Sequence, residues 1–486
     1  MLTFLAASIS RKSFSPFILL PSVGIYGDKS PMKTLIIGGG VVGYNIASRL
    51  VEEGHDVTVV DDDLNALERI DSHLDVSIIR GFGSRPDVLA QADVKAVEMI
   101  VAVTNSDEVN MVACMNAGLM SQTPVVKVAR VRDPSYTDDQ FLEDATYGID
   151  LMLNPEQVTA DRILNLLRYP GITDVSDFAD GQVKLIGIRI TPTSPFSGLR
   201  LMELSERFPD AGFIVGAVVR AGDVIIPRGE TVILPGDEVY LVTAIEDVDE
   251  ALGSAGLVTT PVRRVMILGG GRIAEFLALG LEARGIKPKI IEPNRERAVA
   301  LADRLPDTTV IHGSPTDADL LMEENAGEMQ AVVICSASEE TNLMAALLAH
   351  QMGPSRIIAI TNVVEYRSLI KTVGIDACLS PRLIAVSAIL RFIRKGRVVA
   401  VQALGDGDAA EVLEFEAQLS SEAVGRELRE LRVPRGALIA AIVRNETVLI
   451  PRGATVIEEG DHIVVLAQKE AVGSVSQLLR SQEAGA

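Results

Sequence analysis

Gly38, Gly40 and Gly43 stand in the spacing Gly-x-Gly-x-x-Gly directly after the apolar run Thr34 to Ile37, and Asp61 closes a second apolar run eighteen residues after Gly43. Residues of these types at this spacing suit a dinucleotide. The glycines allow a tight turn, close approach of a pyrophosphate to the backbone, and packing of the next helix on the sheet; the carboxylate accepts hydrogen bonds from both ribose hydroxyls. A carboxylate there repels a 2′-phosphate, and Asp62 and Asp63 add to the repulsion, so NAD(H) or another adenine nucleotide, ATP and ADP included, is expected over NADP(H). The pattern returns as Gly269-x-Gly271-x-x-Ala274 with Glu292 at the acidic position. There Arg272 lies inside the turn, placed to give charge-assisted hydrogen bonds to a di- or triphosphate, or to stand solvated at a helix start.

Further polar segments accompany each copy. After the third apolar run come Gly81-Phe82-Gly83-Ser84 and Gly313-Ser314-Pro315-Thr316-Asp317; after the fourth come Thr104-Asn105-Ser106-Asp107-Glu108 and Ser336-Ala337-Ser338-Glu339-Glu340, each followed by an asparagine, Asn110 or Asn342. The last pair reads as helix caps first and ligand contacts second. The expected cofactor-binding residues are Gly38, Gly40, Val41, Val42, Gly43, Asp61, Gly81, Phe82, Thr104 and Asn105 in the first copy. In the second they are Gly269, Gly271, Arg272, Ile273, Glu292, Gly313 and Ser314.

No catalytic or metal-ligating residue is expected. The five histidines, His55, His73, His312, His350 and His462, have no partners at triad or metal spacing; only His312, before Gly313, falls near a crevice. Cys114, Cys335 and Cys378 are scattered, which fits neither a metal site nor an even disulfide framework and suits a reducing compartment. The formal net charge of −21 disfavours nucleic acid and anionic membrane surfaces as partners. No segment reaches the apolar length of a membrane span, so direct membrane insertion is not expected.

The elements that must position these residues are given by a duplication. Beyond the glycine turns, GIDLMLNP from Gly148 is echoed by GIDACLSP from Gly374, and VIIPRGETVILPGDEVYLV by VLIPRGATVIEEGDHIVVL. Each copy opens with apolar runs alternating with helical stretches, the mark of βαβ units around a parallel sheet, and closes with short strands between Pro-Gly and Gly-Asp turns. The fold class expected is α/β: two doubly wound parallel-sheet Rossmann-like domains, each followed by a small α+β domain. The expected boundaries are 1–31, a disordered extension or a start placed too early; 32–173 and 259–395, the nucleotide-binding domains; and 174–258 and 396–486, the small domains. The polar run TDVSDFADG reads as a linker, the second junction falls near Lys395 to Val398, and the helix after Asn154-Pro155 is expected to close the first nucleotide domain.

Together these features resemble the RCK family, the regulators of potassium conductance, over Met32 to about Leu479. The residues carrying the resemblance are Gly38 to Gly43 with Asp61, Gly81 to Ser84, Thr104 to Asn110, and Ile226 to Gly229 with Pro235 to Asp237; the second copy departs at Ser336-Ala337-Ser338 and Ala274. The doubled arrangement is similar to the peripheral subunits of Trk-type potassium uptake systems. The resemblance implies a cytoplasmic homo-oligomer, a tetramer with eight nucleotide folds, held at the inner face of the plasma membrane by a potassium-transport membrane subunit and gating it on binding NAD(H) or adenine nucleotides. It implies that the chain is not an enzyme. Two other readings use the same residues: a regulator of another cation channel or exchanger, and an NAD-dependent oxidoreductase, which would need an acid-base group that the sequence does not offer.

Overall fold

The structure, a computed structural model, describes residues 17–19, 31–52, 54–136, 148–169, 171–209, 212–257, 262–363, 366, 369, 373, 375–393, 400–403 and 410–479. The chain divides into two compact units that part between Val158 and Thr159. The first unit holds one largely parallel sheet. Its β-branched runs form β2 (Lys33–Ile37), β3 (Asp56–Asp61), β4 (Ser77–Arg80), β5 (Met99–Ala102), β6 (Val126–Arg130) and β7 (Leu151–Leu153), all parallel, with a short antiparallel β1 (Phe17–Leu19) at the edge beside β7. The order is β1-β7-β6-β5-β2-β3-β4, so the winding reverses between β2 and β5, where a doubly wound sheet opens its ligand crevice. Between the strands run α1 (Val41–Glu52), α2 (Leu64–Asp71), α3 (Pro86–Gln91) and α4 (Asp107–Met120). Asp63 caps α2 by accepting from the Asn65 amide and Ser106 caps α4 by accepting from that of Val109, at 2.9 and 3.2 Å.

The helix α5 (Pro155–Arg168) runs from the first unit into the second. The second unit then builds β8 (Ile172–Phe178), β9 (Val183–Arg189), β10 (Phe213–Arg220), β11 (Asp223–Ile225) and β12 (Glu238–Ala244) into an antiparallel sheet ordered β11-β10-β12-β9-β8, with α6 (Leu201–Arg207) and α7 (Val248–Ser254). The next sheet is parallel. It comprises β13 (Val265–Leu268), β14 (Lys289–Glu292), β15 (Thr309–His312), β16 (Ala331–Ile334), β17 (Ile357–Ile360) and β18 (Ala377–Leu379), ordered β15-β14-β13-β16-β17-β18. Its helices are α8 (Arg272–Glu282), α9 (Arg295–Arg304), α10 (Ala318–Glu323), α11 (Glu339–Met352) and α12 (Pro381–Ile393). Last come β19 (Ala400–Ala403), β20 (Ala410–Glu416), β21 (Ala437–Arg444), β22 (Thr447–Leu449), β23 (His462–Gln468) and α13 (Lys469–Leu479). The two small sheets face each other through Leu185, Ala217 and Val242 on one side and Val412, Ala441 and Leu466 on the other.

Both parallel sheets have the expected doubly wound order and both small sheets are antiparallel. Two expectations are corrected. The run taken as a linker is β8, paired with β9, followed by the hairpin turn at Ala179 and Asp180, whose φ angles are 49° and 52°. Both of its faces meet apolar clusters, Val175 packing into one and Phe178 into another, while Asp174 and Asp177 pair with Arg162 and Lys184. Nor does α5 simply close the first domain. Ala160, Ile163, Leu164 and Leu167 belong to one buried cluster with Leu277, Ala278 and Leu281 of α8, and Gly280 lets the helices meet, since a Cβ there would lie 2.4 Å from Leu164 Cδ1. The boundary at 258/259 and the junction at Lys395 to Val398 lie outside the described residues, as does most of 1–31. Among the described residues no helix is long and apolar enough to cross a membrane.

Candidate functional site

In the first copy, Gly38 ends β2 with φ +107°, a conformation side chains avoid, and its amide donates to the Val60 carbonyl at 2.8 Å. A Cβ on Gly43 would lie 1.8 Å from the Gly38 carbonyl oxygen, so only glycine lets α1 come this close beneath the turn. Gly40 is exposed, with nothing near its would-be Cβ, and leaves the turn open to a ligand. At the end of β3, Asp61 accepts the Gly39 amide on Oδ2 at 2.5 Å and the Asp63 amide on Oδ1 at 2.8 Å. Each oxygen keeps a lone pair for a ribose hydroxyl. Through its carbonyl Asp61 also holds Gly81, at 2.9 Å, and so joins the second glycine loop to the first.

Phe82 is 57% exposed in that loop, and Thr104 abuts Gly38, its backbone nitrogen 3.1 Å from a would-be Cβ. Asn110 is buried and fixes Thr104, accepting from its amide at 2.8 Å while donating to the Arg130 carbonyl. The structure therefore brings together Gly38, Gly40, Gly43, Asp61, Gly81 and Thr104. Val41 is exposed at the first turn of α1 and Asn105 at the tip of its loop, whereas the Val42 side chain points into the core and can offer a ligand only its backbone. Two cations escaped the sequence reading. Arg69 donates to the Gly39 carbonyl at 3.1 Å and lies over the Tyr44 ring, and Arg80 stands opposite Asp61 in the strand register, donating to the Asp62 carbonyl at 3.4 Å. The place of Arg80 at the end of β4 was readable; the reach of Arg69 from α2 was not.

The second copy repeats the frame and moves the charge. Gly269 has φ +103°, Glu292 accepts from the Gly270 and Asn294 amides at 2.7 and 2.8 Å, and the Gly313 amide donates to its carbonyl at 3.0 Å. Ser336 abuts Gly269, and Asn342 fixes it as Asn110 fixes Thr104. Glu292 is buried, with Arg297 4.0 Å away. Ile70 and Leu301 each abut the middle glycine of their turns, which sets Ala300 at the register of Arg69, while strand pairing sets His312 at that of Arg80. The cation near the turn is instead Arg272, exposed at the start of α8. Ile273 is partly buried, Ala274 fully buried, and Ser314 is tied to its own loop, accepting from the Thr316 amide at 3.2 Å.

Cys114 and Cys335 are buried thiols. Burial pushes the Cys114 thiol far up, and burial beside Glu292 pushes that of Cys335 up to about 12, so both stay protonated at neutral pH. His312 lies 3.1 Å from the Pro293 carbonyl, and His462 pairs with the buried Glu414 at 2.9 Å. Among the described residues no cluster of His, Cys, Asp or Glu is placed to hold a metal ion.

Comparison with known proteins gives the same division. The TrkA-N domain family matches residues 34–155 and 265–381, and the TrkA-C domain family matches 185–254 and 412–480. The Trk system potassium uptake protein TrkA of Halomonas elongata is 36% identical over 92% of this chain and 99% of its own; that of Vibrio alginolyticus is also 36% identical, with the same coverage. Among solved structures, the GsuK channel bound to NAD is similar in fold with a TM-score of 0.60 at 19% identity, over 96% of this chain and 81% of that one.

Proposed function

Because the chain belongs to the TrkA family of Trk-system potassium uptake proteins, we propose that it is the nucleotide-sensing regulatory subunit of a potassium uptake system, peripheral at the inner face of the plasma membrane and gating a membrane pore subunit. The observation that carries the nucleotide reading is the joining of Gly38, Asp61, Gly81 and Thr104 at the point where the sheet reverses, built again around Gly269 and Glu292. Asp61 would take the adenosine ribose of NAD(H), ADP or ATP. The amides at the head of α1, with the positive end of the helix dipole, would take the pyrophosphate. In the second copy Arg272 adds a cation at the phosphates. Arg69 and Arg80 temper the repulsion of a 2′-phosphate without removing it, because the Asp61 carboxylate itself faces the ribose.

In this role the nucleotide acts by binding and is released unaltered. A ligand that binds one arrangement of a homotetramer more tightly than another shifts the population toward it and biases the attached pore. The test is co-purification with a potassium-transport membrane subunit of the Trk type, followed by calorimetric titration of the complex with NADH, NAD, ADP and ATP. Retention of the pore subunit and saturable binding of at least one nucleotide support the reading; a protein that binds neither defeats it.

A further inference from the structure

Within the second unit, the C-terminal end of α5 is fastened by a side chain of the second nucleotide sheet. Arg356, the residue before β17, is 4% exposed, and its guanidinium donates to the carbonyls of Leu166 and Ile172 and, at 3.2 Å, of Tyr169. These carbonyls close α5 and begin β8, the first strand of the first small domain. A helix C-terminus leaves carbonyls unpaired and carries negative partial charge, so a buried cation answers both. Burial pushes the guanidinium down to about 10, still charged at neutral pH.

The first copy has a valine at this register. Lys127 and Ile357 occupy one register, each donating its amide to a carboxylate at 2.7 Å, Asp150 and Asp376. The preceding residues are Val126 and Arg356. At the far end of β17 the Ile360 carbonyl accepts from Asn342 at 3.1 Å, and Asn342 accepts from the amide of Ser336, which lies against Gly269 in the glycine turn. One short strand thus runs from a crevice loop to the fastened helix end.

We propose that Arg356 is a positioning residue that couples the second nucleotide crevice to the first small domain, with β17 carrying displacements of the Ser336 loop to the carbonyls of Leu166, Tyr169 and Ile172. The proposal rests on the reading that this crevice binds nucleotide.

The test uses full-length protein carrying Asp61→Ala, which weakens the first crevice about 10- to 150-fold, probed by calorimetry and by hydrogen exchange of the segment 166–178 with ADP and with NADH at concentrations too low to refill that crevice. With Arg356 present, nucleotide that fills the second crevice alone is expected to change exchange across this segment about fivefold. Arg356→Val, the residue of the other copy, is expected to keep affinity within about twofold and to keep the oligomer size, yet to lose the exchange response. Arg356→Lys keeps the charge but reaches fewer carbonyls, retains part of the response, and carries the comparison if the valine variant fails to fold. Binding with no exchange response in the Arg356 protein, or a full response in the valine or lysine variant, overturns the coupling alone. An absence of binding in the second crevice overturns the nucleotide reading of that site and the coupling with it.

Discussion

Asp61→Ala removes the acceptor from a known frame, and its cost divides between binding and stability. The carboxylate holds the Gly39 and Asp63 amides at 2.5 and 2.8 Å, and in the proposed complex it also holds two ribose hydroxyls. Hydrogen bonds to a charged group contribute about 1.5–3 kcal/mol net, and losing the ribose contacts together should weaken binding by about that much, or about 10- to 150-fold. The stability cost should be smaller, about 1 kcal/mol, because Asp63 is exposed and its amide regains water while Gly39 alone is left buried. Calorimetric titration with NADH and ADP, beside thermal melting of the same samples, separates the two. Asp61→Asn keeps the shape but one acceptor oxygen, and should fall between the alanine variant and the parent. A folded Asp61→Ala protein with affinity within about twofold of the parent would remove Asp61 from the site and with it the assignment of the crevice.

Gly43→Ala places a methyl 1.8 Å from the Gly38 carbonyl oxygen and should cost about 1–3 kcal/mol in melting experiments along with much of the nucleotide affinity, whereas Ala274→Gly, at the same register of the second copy, should cost about 1 kcal/mol. Equal effects would contradict the difference in helix approach. Asp161, on α5, has an unpartnered buried oxygen, and burial pushes its carboxyl up to about 6 despite Arg284 nearby. Its folded pKa lies above the unfolded one, so its stabilising contribution is full below about pH 4 and is lost as the pH rises through 6. Asp161→Asn should therefore gain on the parent in melting temperature across that window, and a constant difference between them would contradict the assignment. Glu414→Ala strips both the Ala179 amide and His462 of a buried partner between the small sheets and should lower stability by about 2 kcal/mol, read by chemical denaturation; a neutral result would show that the apolar contacts alone join the sheets.

What was legible in the sequence is what local chemistry dictates. The glycine turns, the acids at Asp61 and Glu292, and the doubling of the module follow from residue types at fixed spacing, and the sheets that hold them follow from the period of the apolar runs. The polar character of Asp174 and Asp177 hid β8, because strand carboxylates look like a solvated linker until their cationic partners, Arg162 and Lys184, are known. Arg69 and Arg356 act across 30 and at least 184 residues of chain, and no local pattern marks them. The seat of α5 on α8 depends on Gly280, whose missing side chain means nothing in sequence until Leu164 is found against it.

The central claim is that nucleotide in these crevices governs a potassium pore. It is tested most directly by potassium flux into vesicles holding the purified membrane subunit, with this protein added and NADH, NAD, ADP and ATP supplied in turn. Flux should change with at least one nucleotide only when the protein is present, the change should be lost with Asp61→Ala in the concentration range that saturates the parent, and the nucleotide should be recovered unaltered. Flux indifferent to all four nucleotides, or NADH consumed at enzymatic rates of about 1 per second or faster, would contradict the account.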